Sequence, residues 1–314
     1  MALTDRLRSM LKPPVEPDEP PAPFVVGVAR SGTTLLRLML DAHPELAIPP
    51  ETHFIPKLAK AMGEIPKSAG EDEMRRRAHA VITEHRRWPD FGLDAHELDR
   101  RFDHTEPFNA THALRAFYAL YAEQQGKPRW GDKSPSYVRR IRRVHAVLPE
   151  AHFIHLIRDG RDVALSQLEV HHGNDKVVDA ATEWVEGIEK ARRVGGGIGE
   201  AYMEVRYEDL VSGPRPVLER VCARIDLDFD PAMLDYHRGA EDRMAETVRD
   251  MSRGEGQITA EQRARQHENV SKPPQRGRAG RWRKDMSAEQ QAAFESVAGA
   301  LLADLGYEVG HSRP

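Results

Sequence analysis

Gly27-Val28-Ala29-Arg30-Ser31-Gly32-Thr33-Thr34 places two glycines five residues apart, with one cation between them and hydroxyls on both sides of the second glycine. The apolar run Phe24-Val25-Val26-Gly27-Val28 leads into it. Leu35, Leu36, Met39 and Leu40 follow at helical spacing, with Arg37 and Asp41 on the other side. The loop is therefore expected where a buried strand turns into a helix. Such a turn aims several backbone N–H groups and the positive helix end at one point, which is the chemistry of anion binding. The frame is that of a phosphate-binding loop, yet Thr33 stands where a triphosphate-binding loop carries the Lys that reaches the β- and γ-phosphates. The cation lies inside the loop instead, at Arg30. A cradle for a smaller, less charged group than a triphosphate is expected; the plain alternative is an ordinary glycine turn.

Further along, the run His152-Phe153-Ile154-His155-Leu156-Ile157 reads as a strand, and Arg158-Asp159-Gly160-Arg161-Asp162-Val163-Ala164-Leu165-Ser166 follows it. An arginine at the carboxyl end of a strand, with a hydroxyl one or more helical turns later, can clamp a phosphate by charge-assisted hydrogen bonds. Arg161 and Asp162 read as local structural pairs. From Arg263 to Lys284, Arg263, Arg265, Lys272, Arg276, Arg278, Arg281, Arg283 and Lys284 face the single acid Glu268. Such a strip is either a solvated charge run or a basic lid. Glu51 follows Ile48-Pro49-Pro50, a rigid turn able to project a carboxylate over the first loop, where it could take a proton as a general base. His53 and His43 are the alternatives.

These segments resemble the sulfotransferase superfamily, whose 5′-phosphosulfate loop is a Lys or Arg followed by Ser-Gly-Thr-Thr. The resemblance implies that Arg30, Ser31, Gly32, Thr33 and Thr34 hold the sulfate end of 3′-phosphoadenosine-5′-phosphosulfate (PAPS), and that Arg158 and Ser166 hold its 3′-phosphate. Gly131-Asp132-Lys133-Ser134-Pro135 resembles the family's Lys-containing loop, implying that Lys133 contacts the bridging oxygen. Arg276-Gly277-Arg278-Ala279-Gly280-Arg281-Trp282-Arg283 resembles its late motif, which closes over the 3′-phosphate and adenine, so Lys272, Arg276, Gly277 and Trp282 are expected there. Tyr207 is expected against the nucleotide, with a core role as the alternative. The hydroxyl that would complete the site near residues 252–259 is not assigned.

The likeness is to tyrosylprotein sulfotransferases in particular. It runs from Arg30 through Leu40-Asp41-Ala42-His43-Pro44 to Glu51-Thr52 and returns in Leu302-Ala303-Asp304-Leu305-Gly306-Tyr307. It covers most of residues 24–308, and residues 57–125 least. The chain departs from that family in having one cysteine, Cys222, and in the expectation that it carries no membrane anchor. Bacterial-type carbohydrate, lipid or small-metabolite sulfotransferases share the same core pattern, so the expected acceptor is a hydroxyl of a tyrosyl peptide, carbohydrate, lipid or small metabolite. An in-line transfer without metal is expected, with Arg30, Lys133 and backbone N–H groups supplying the positive charge and Glu51 as base. A P-loop kinase or NTPase, or a non-catalytic nucleotide-binding protein, is the alternative.

The elements that must position these residues follow from pattern and composition. With 314 residues, 39% hydrophobic and 31% charged, the chain can bury a large core. A net charge of −4 argues against bulk nucleic-acid binding, so the basic strips are local sites. Cys222 cannot form an intrachain disulfide and is expected to be buried and inert; no stretch approaches the roughly 18–20 apolar residues of a membrane span, and a cytoplasmic protein is expected. Residues 1–23 read as a Pro-rich tail, with a short amphipathic helix over residues 1–11. Residues 24–314 read as one domain: an α/β fold with a P-loop-type parallel sheet flanked by helices, a helical insertion over about 57–125, and a loop or lid over 243–284. Helices are expected through Tyr137 to Leu148, through Val178, Ala181, Trp184, Val185 and Ile188, and after Pro214. A strand is expected from Tyr202 to Tyr207, and a last helix from the capping box Ser287-Ala288-Glu289-Gln290, packing through Phe294, Val297, Leu301 and Leu302.

Overall fold

The computed structural model describes residues 19–66, 68–169, 177–253, 256–261 and 271–310. The helix expected over residues 1–11, most of the Pro-rich tail, and Arg263, Arg265 and Glu268 of the basic strip lie outside the described residues.

In chain order, strand β1 (Ala22–Val26), helix α1 (Thr33–Asp41) and strand β2 (Leu46–Ala47) are followed by helices α2 (Ile55–Gly63), α3 (Glu71–Thr83), α4 (Ala95–Asp103) and α5 (Ala110–Gln124). Strands β3 (Arg129–Trp130) and β4 (Asp132–Lys133), helix α6 (Ile141–Val147), strand β5 (Ala151–Ile157) and helices α7 (Gly160–Leu168) and α8 (Val177–Gly195) come next. Strand β6 (Tyr202–Arg206), helices α9 (Tyr207–Ser212), α10 (Pro214–Arg224) and α11 (Ala240–Ala245), the hairpin β7 (Met251–Arg253) and β8 (Gly256–Ile258), and helices α12 (Trp282–Asp285) and α13 (Ala288–Asp304) complete the order.

Four strands form the central sheet in the order β4-β1-β5-β6. Every neighbouring pair is parallel, with Phe24 opposite both Asp132 and Phe153, and Ile157 opposite Arg206. Continuous apolar runs suit strands covered on both faces, and β1 is buried throughout. Successive residues alternate between two cores. Phe24, Val26 and Phe153 pack with the helices of the insertion, whereas Val25, Ile154 and Leu156 pack on α1, α9 and α10. A third cluster joins Val28 and Ile157 to Trp184 of α8, Trp282 of α12 and Phe294 of α13. The four parallel strands end on the same edge. Their carboxyl ends lead into the loop at Gly27–Gly32, Lys133, Arg158 and Tyr207, the edge where open α/β sheets bind ligands.

The structure corrects several boundaries. β1 begins at Ala22, inside the segment read as tail, because the Ala22 N–H reaches the Glu150 carbonyl at 2.8 Å. Tyr207 opens α9 rather than ending a strand. The 243–284 stretch holds the end of α11, a hairpin and α12 rather than one loop. Arg243 in particular is an anchor: it donates to both oxygens of Asp41 at 2.7 and 3.0 Å and to Tyr121 Oη at 2.7 Å. Val178 is 45% exposed, since the buried stripe of α8 runs through Val177, Ala180, Ala181, Trp184 and Ile188. Val297 is 39% exposed, and Ala298 takes its place between Phe294 and Leu302. The Ser287 capping box is present, with both reciprocal bonds formed.

Candidate active site

The first loop is shaped by close approach. Arg30 and Gly32 hold positive φ angles of 74° and 96°, a conformation that costs a non-glycine residue free energy. A Cβ on Gly32 would lie 2.5 Å from the Tyr207 ring, and one on Gly27 would lie 2.6 Å from the Leu156 carbonyl oxygen. Both glycines are thus needed where the loop passes between β5 and α9. Ser31 and Thr33 are buried beneath the loop. The Ser31 N–H closes the turn on the Val28 carbonyl at 3.1 Å.

Two clusters of polar side chains flank this loop. On one side, Arg30 Nε donates to Ser166 Oγ at 3.0 Å. Arg158 Nη1 donates to the Arg30 carbonyl at 3.2 Å, and its guanidinium lies 4.7 Å from the Tyr207 ring centroid. Arg158 Nη2 donates to the Arg278 carbonyl at 2.7 Å, while the buried Nε has no hydrogen-bond partner. Arg30, Arg158, Ser166 and Tyr207 are therefore brought together, and a buried guanidinium N–H remains for an anion. Arg278 bears on both Arg30 and Tyr207, helping to lower the first and partly opposing the burial that raises the second.

On the other side stand Glu51 and Lys133. Lys133 Nζ lies 2.7 Å from Glu51 Oε1 and 3.4 Å from Thr34 Oγ1. Glu51 Oε2 accepts from Arg87 Nη2 at 2.9 Å and lies 2.7 Å from His53 Nε2. Burial alone would push the Glu51 carboxyl up; Lys133, Arg87 and His53 together outweigh it and hold the carboxyl well below the usual carboxylate range. Burial lowers the Lys133 ammonium, partly offset by Glu51. His53 adopts a φ of 56°, and its Nδ1 lies 2.9 Å from Ser136 Oγ.

The Glu51 turn is fixed from behind by a buried polar cluster. Thr52 Oγ1 donates to Asp132 Oδ2 at 2.7 Å and lies 3.0 Å from Tyr137 Oη; Tyr118 Oη donates to the same Asp132 oxygen at 2.9 Å. Because Asp132 precedes Lys133 on β4, this cluster joins the strand that carries the lysine to the turn that carries the carboxylate. Phe54 locks the far side of the turn, its ring 5.1 Å from that of Phe117 on α5. The insertion therefore shapes the site through packing as well as through Arg87.

Other expected residues lie elsewhere. His43 is buried with both ring nitrogens engaged, Nε2 on the Asp228 carbonyl at 2.9 Å and Nδ1 accepting from the Glu45 N–H at 3.0 Å, which is a structural role. Lys272 and Gly277 are exposed; the Lys272 carbonyl accepts from Tyr236 Oη, and the Arg276 guanidinium is bound to the Ser212 carbonyl at 2.6 Å. Trp282 is 3% exposed, with the Arg161 guanidinium 3.5 Å from its ring centroid. Asp162 receives the N–H groups of Gly280 at 2.7 Å and Trp282 at 2.9 Å. Arg161 and Asp162 do form local pairs, with Asp159 at 2.8 Å and Arg158 at 3.6 Å, and both are buried and also clasp the C-terminal segment. The side chains of residues 251–258, where a hydroxyl completing the site was sought, lie outside the described residues. Motif reading missed Arg87, which contacts Glu51, because a cation in an irregular stretch between helices carries no local pattern.

A model described as the sulfotransferase family matches residues 21–231, more than half of the chain. The chain is 26% identical over 299 residues to protein-tyrosine sulfotransferase 1 of Danio rerio, covering 94% of this chain and 74% of that protein. It is 28% identical over 308 residues to nodulation protein NoeE of Sinorhizobium fredii, covering 91% of this chain and 65% of the other. In fold it is similar to the sulfotransferase domain of the Synechococcus PCC 7002 olefin synthase, with a TM-score of 0.62 and 24% identity, covering 95% of this chain and 99% of that one.

Proposed function

Since the chain belongs to the sulfotransferase family, we propose that it transfers a sulfuryl group from PAPS to a hydroxyl acceptor, with Glu51 as the base. The observation that carries this reading is the contact of Lys133 with both Glu51 and Thr34, which puts a carboxylate and an ammonium at the mouth of an anion loop. The donor, when bound, supplies a sulfur whose bond to the phosphate oxygen breaks as the acceptor oxygen attacks. Arg158, Ser166 and Tyr207 suit the 3′-phosphate and nucleotide, and the free Arg158 N–H supports that fit. The loop N–H groups, Thr34 and Lys133 suit the phosphosulfate end.

Glu51 accepts the acceptor hydroxyl proton at its carboxylate, and Lys133 neutralises charge developing on the leaving oxygen. A carboxylate held strongly ionised by three neighbours is ready to accept a proton at neutral pH but is a weak base. Its proton uptake is therefore favoured late, as the lysine turns to the leaving group. The acceptor of this chain is a tyrosyl peptide, carbohydrate, lipid or small metabolite; the named relatives include a protein-tyrosine sulfotransferase and a nodulation protein.

Calorimetry with adenosine 3′,5′-bisphosphate in the absence of magnesium tests the donor. Binding there, with weaker binding of magnesium-ATP, is expected. The reverse preference would overturn the reading in favour of a P-loop NTPase. A screen of labelled sulfate transfer to tyrosyl peptides, glycans, lipids and phenols identifies the acceptor.

A further inference from the structure

Arg87 grips Glu51 from the helical insertion and is itself held. Its Nη1 lies 3.4 Å from Asp90 Oδ2, while the Asp90 N–H donates to the Arg87 carbonyl at 2.8 Å. The other oxygen, Asp90 Oδ1, accepts from Arg249 Nη2. Arg249 lies between α11 and β7, with its side chain 29% exposed, whereas the Asp90 side chain is fully buried. Trp88 and Phe91, on either side of Asp90, pack against each other and on Phe117, so the carboxylate sits on a rigid base. Charge alternates along Arg249, Asp90, Arg87, Glu51 and Lys133, linking the C-terminal segment to the end of β4.

A buried carboxylate with one cation on each oxygen divides its attraction between them. The same is true of Arg87, whose guanidinium serves Asp90 through Nη1 and Glu51 through Nη2. We propose that Arg249 is a positioning residue for Glu51: acting through Asp90, it sets how firmly Arg87 holds the base, and so couples the seating of the segment after α11 to the active site. Removing Arg249 takes a cation from Asp90 Oδ1 and strengthens the pull of that carboxylate on Arg87, which draws Arg87 from Glu51. That segment is also tied down upstream, where Arg243 bridges Asp41 and Glu246, so Arg249 acts at the end of an anchored stretch. The catalytic consequence rests on the base role proposed for Glu51; the contact chain does not.

The groups facing Glu51 are Lys133 from β4, Arg87 from the insertion and His53 from its own turn. Arg37 bears on Lys133, and His85 is sensitive to His53 and Arg87. The test is carbon-13 NMR of the full chain labelled at glutamate Cδ, with the Glu51 signal identified by its loss in Glu51→Gln. Arg87→Gln should raise the Glu51 titration midpoint by about one pH unit, as loss of an adjacent opposite charge does. Arg249→Gln should raise it by a smaller amount, and Arg249→Lys should leave it near the native value. In an Arg87→Gln background, Arg249→Gln should add no further shift. A midpoint unmoved by Arg249→Gln, or a shift that survives at full size without Arg87, overturns the proposal. Loss of the base role would show separately, as Glu51→Gln retaining full transfer while the NMR shifts stand.

Discussion

Lys133 Nζ and Glu51 Oε1 are 2.7 Å apart, one side chain delivered by the end of β4 and the other by the turn after Pro49-Pro50. Lys133 is 4% exposed and Glu51 21%, so the pair is largely withdrawn from water and each charge depends on the other. Removing Glu51 strips the buried Lys133 ammonium of its carboxylate, whereas removing Lys133 leaves Glu51 with Arg87 and His53.

Glu51→Gln preserves the shape of the turn but cannot accept a proton. The turnover rate should fall by about 10²- to 10⁴-fold, the usual contribution of a general base. Calorimetric affinity for adenosine 3′,5′-bisphosphate should change little, since the nucleotide clamp lies at Arg158 and Ser166. An undiminished rate would remove Glu51 from the base role.

Gly32→Ala adds a methyl group 2.5 Å from the Tyr207 ring at a residue with φ of 96°. A non-glycine residue in such a conformation costs on the order of 1–3 kcal/mol, and the displaced ring adds to it. Thermal unfolding should move down by several degrees, and nucleotide affinity should drop with the loop geometry. Native stability and affinity together in this variant would show that the loop has room that the close contact denies.

Asp162→Asn replaces a carboxylate that holds the Gly280 and Trp282 N–H groups and lies 3.6 Å from Arg158. Losing the charge-assisted bonds of one buried partner costs about 1–3 kcal/mol. Proteolysis within residues 276–285 should accelerate ahead of global unfolding, as local opening precedes it. Equal cleavage rates for native and variant chains would argue that α12 is held by Trp282 packing alone.

His85 and His155 contribute to the response to acid. Burial pulls each ring down to about 4, and for His85 neighbouring cations add to the effect. The unfolded chain protonates these rings near the ordinary histidine value of about 6.5, while the folded chain resists until about 4. The unfolded state therefore binds more protons between those limits, so stability is fully present above the upper value and falls as pH drops through the window. Thermal midpoints of the native chain should decline across it. His155→Gln, which removes a fully buried ring on β5, should give a shallower decline. An unchanged slope would rule out His155 as a contributor.

Much of the fold was legible because strand and helix periods are local properties. The apolar runs ending at Val28 and Ile157 produced the strands beside the loop, and the Ser287 capping box opened the last helix. Single-residue phase was harder to read. Val178 and Val297 belong to apolar patterns yet face outward, since a neighbour one position away fits the stripe better. Tyr207 was legible as a residue at the end of a strand, but its packing over Gly32 depends on how β6 meets α9.

The sequence by itself determined the anion loop, its strand and helix, and the types of residue that could do acid–base work, because these depend on spacing within one short segment. Only the tertiary structure decided which of them meet. It turned the Arg30 side chain toward Ser166 rather than Glu51, set the Arg276 guanidinium on the Ser212 carbonyl, and brought Arg87, Asp90 and Arg249 into line behind the base. Those contacts join segments far apart in the chain, and buried charge is tolerated only where folding supplies its partner, which no local pattern records.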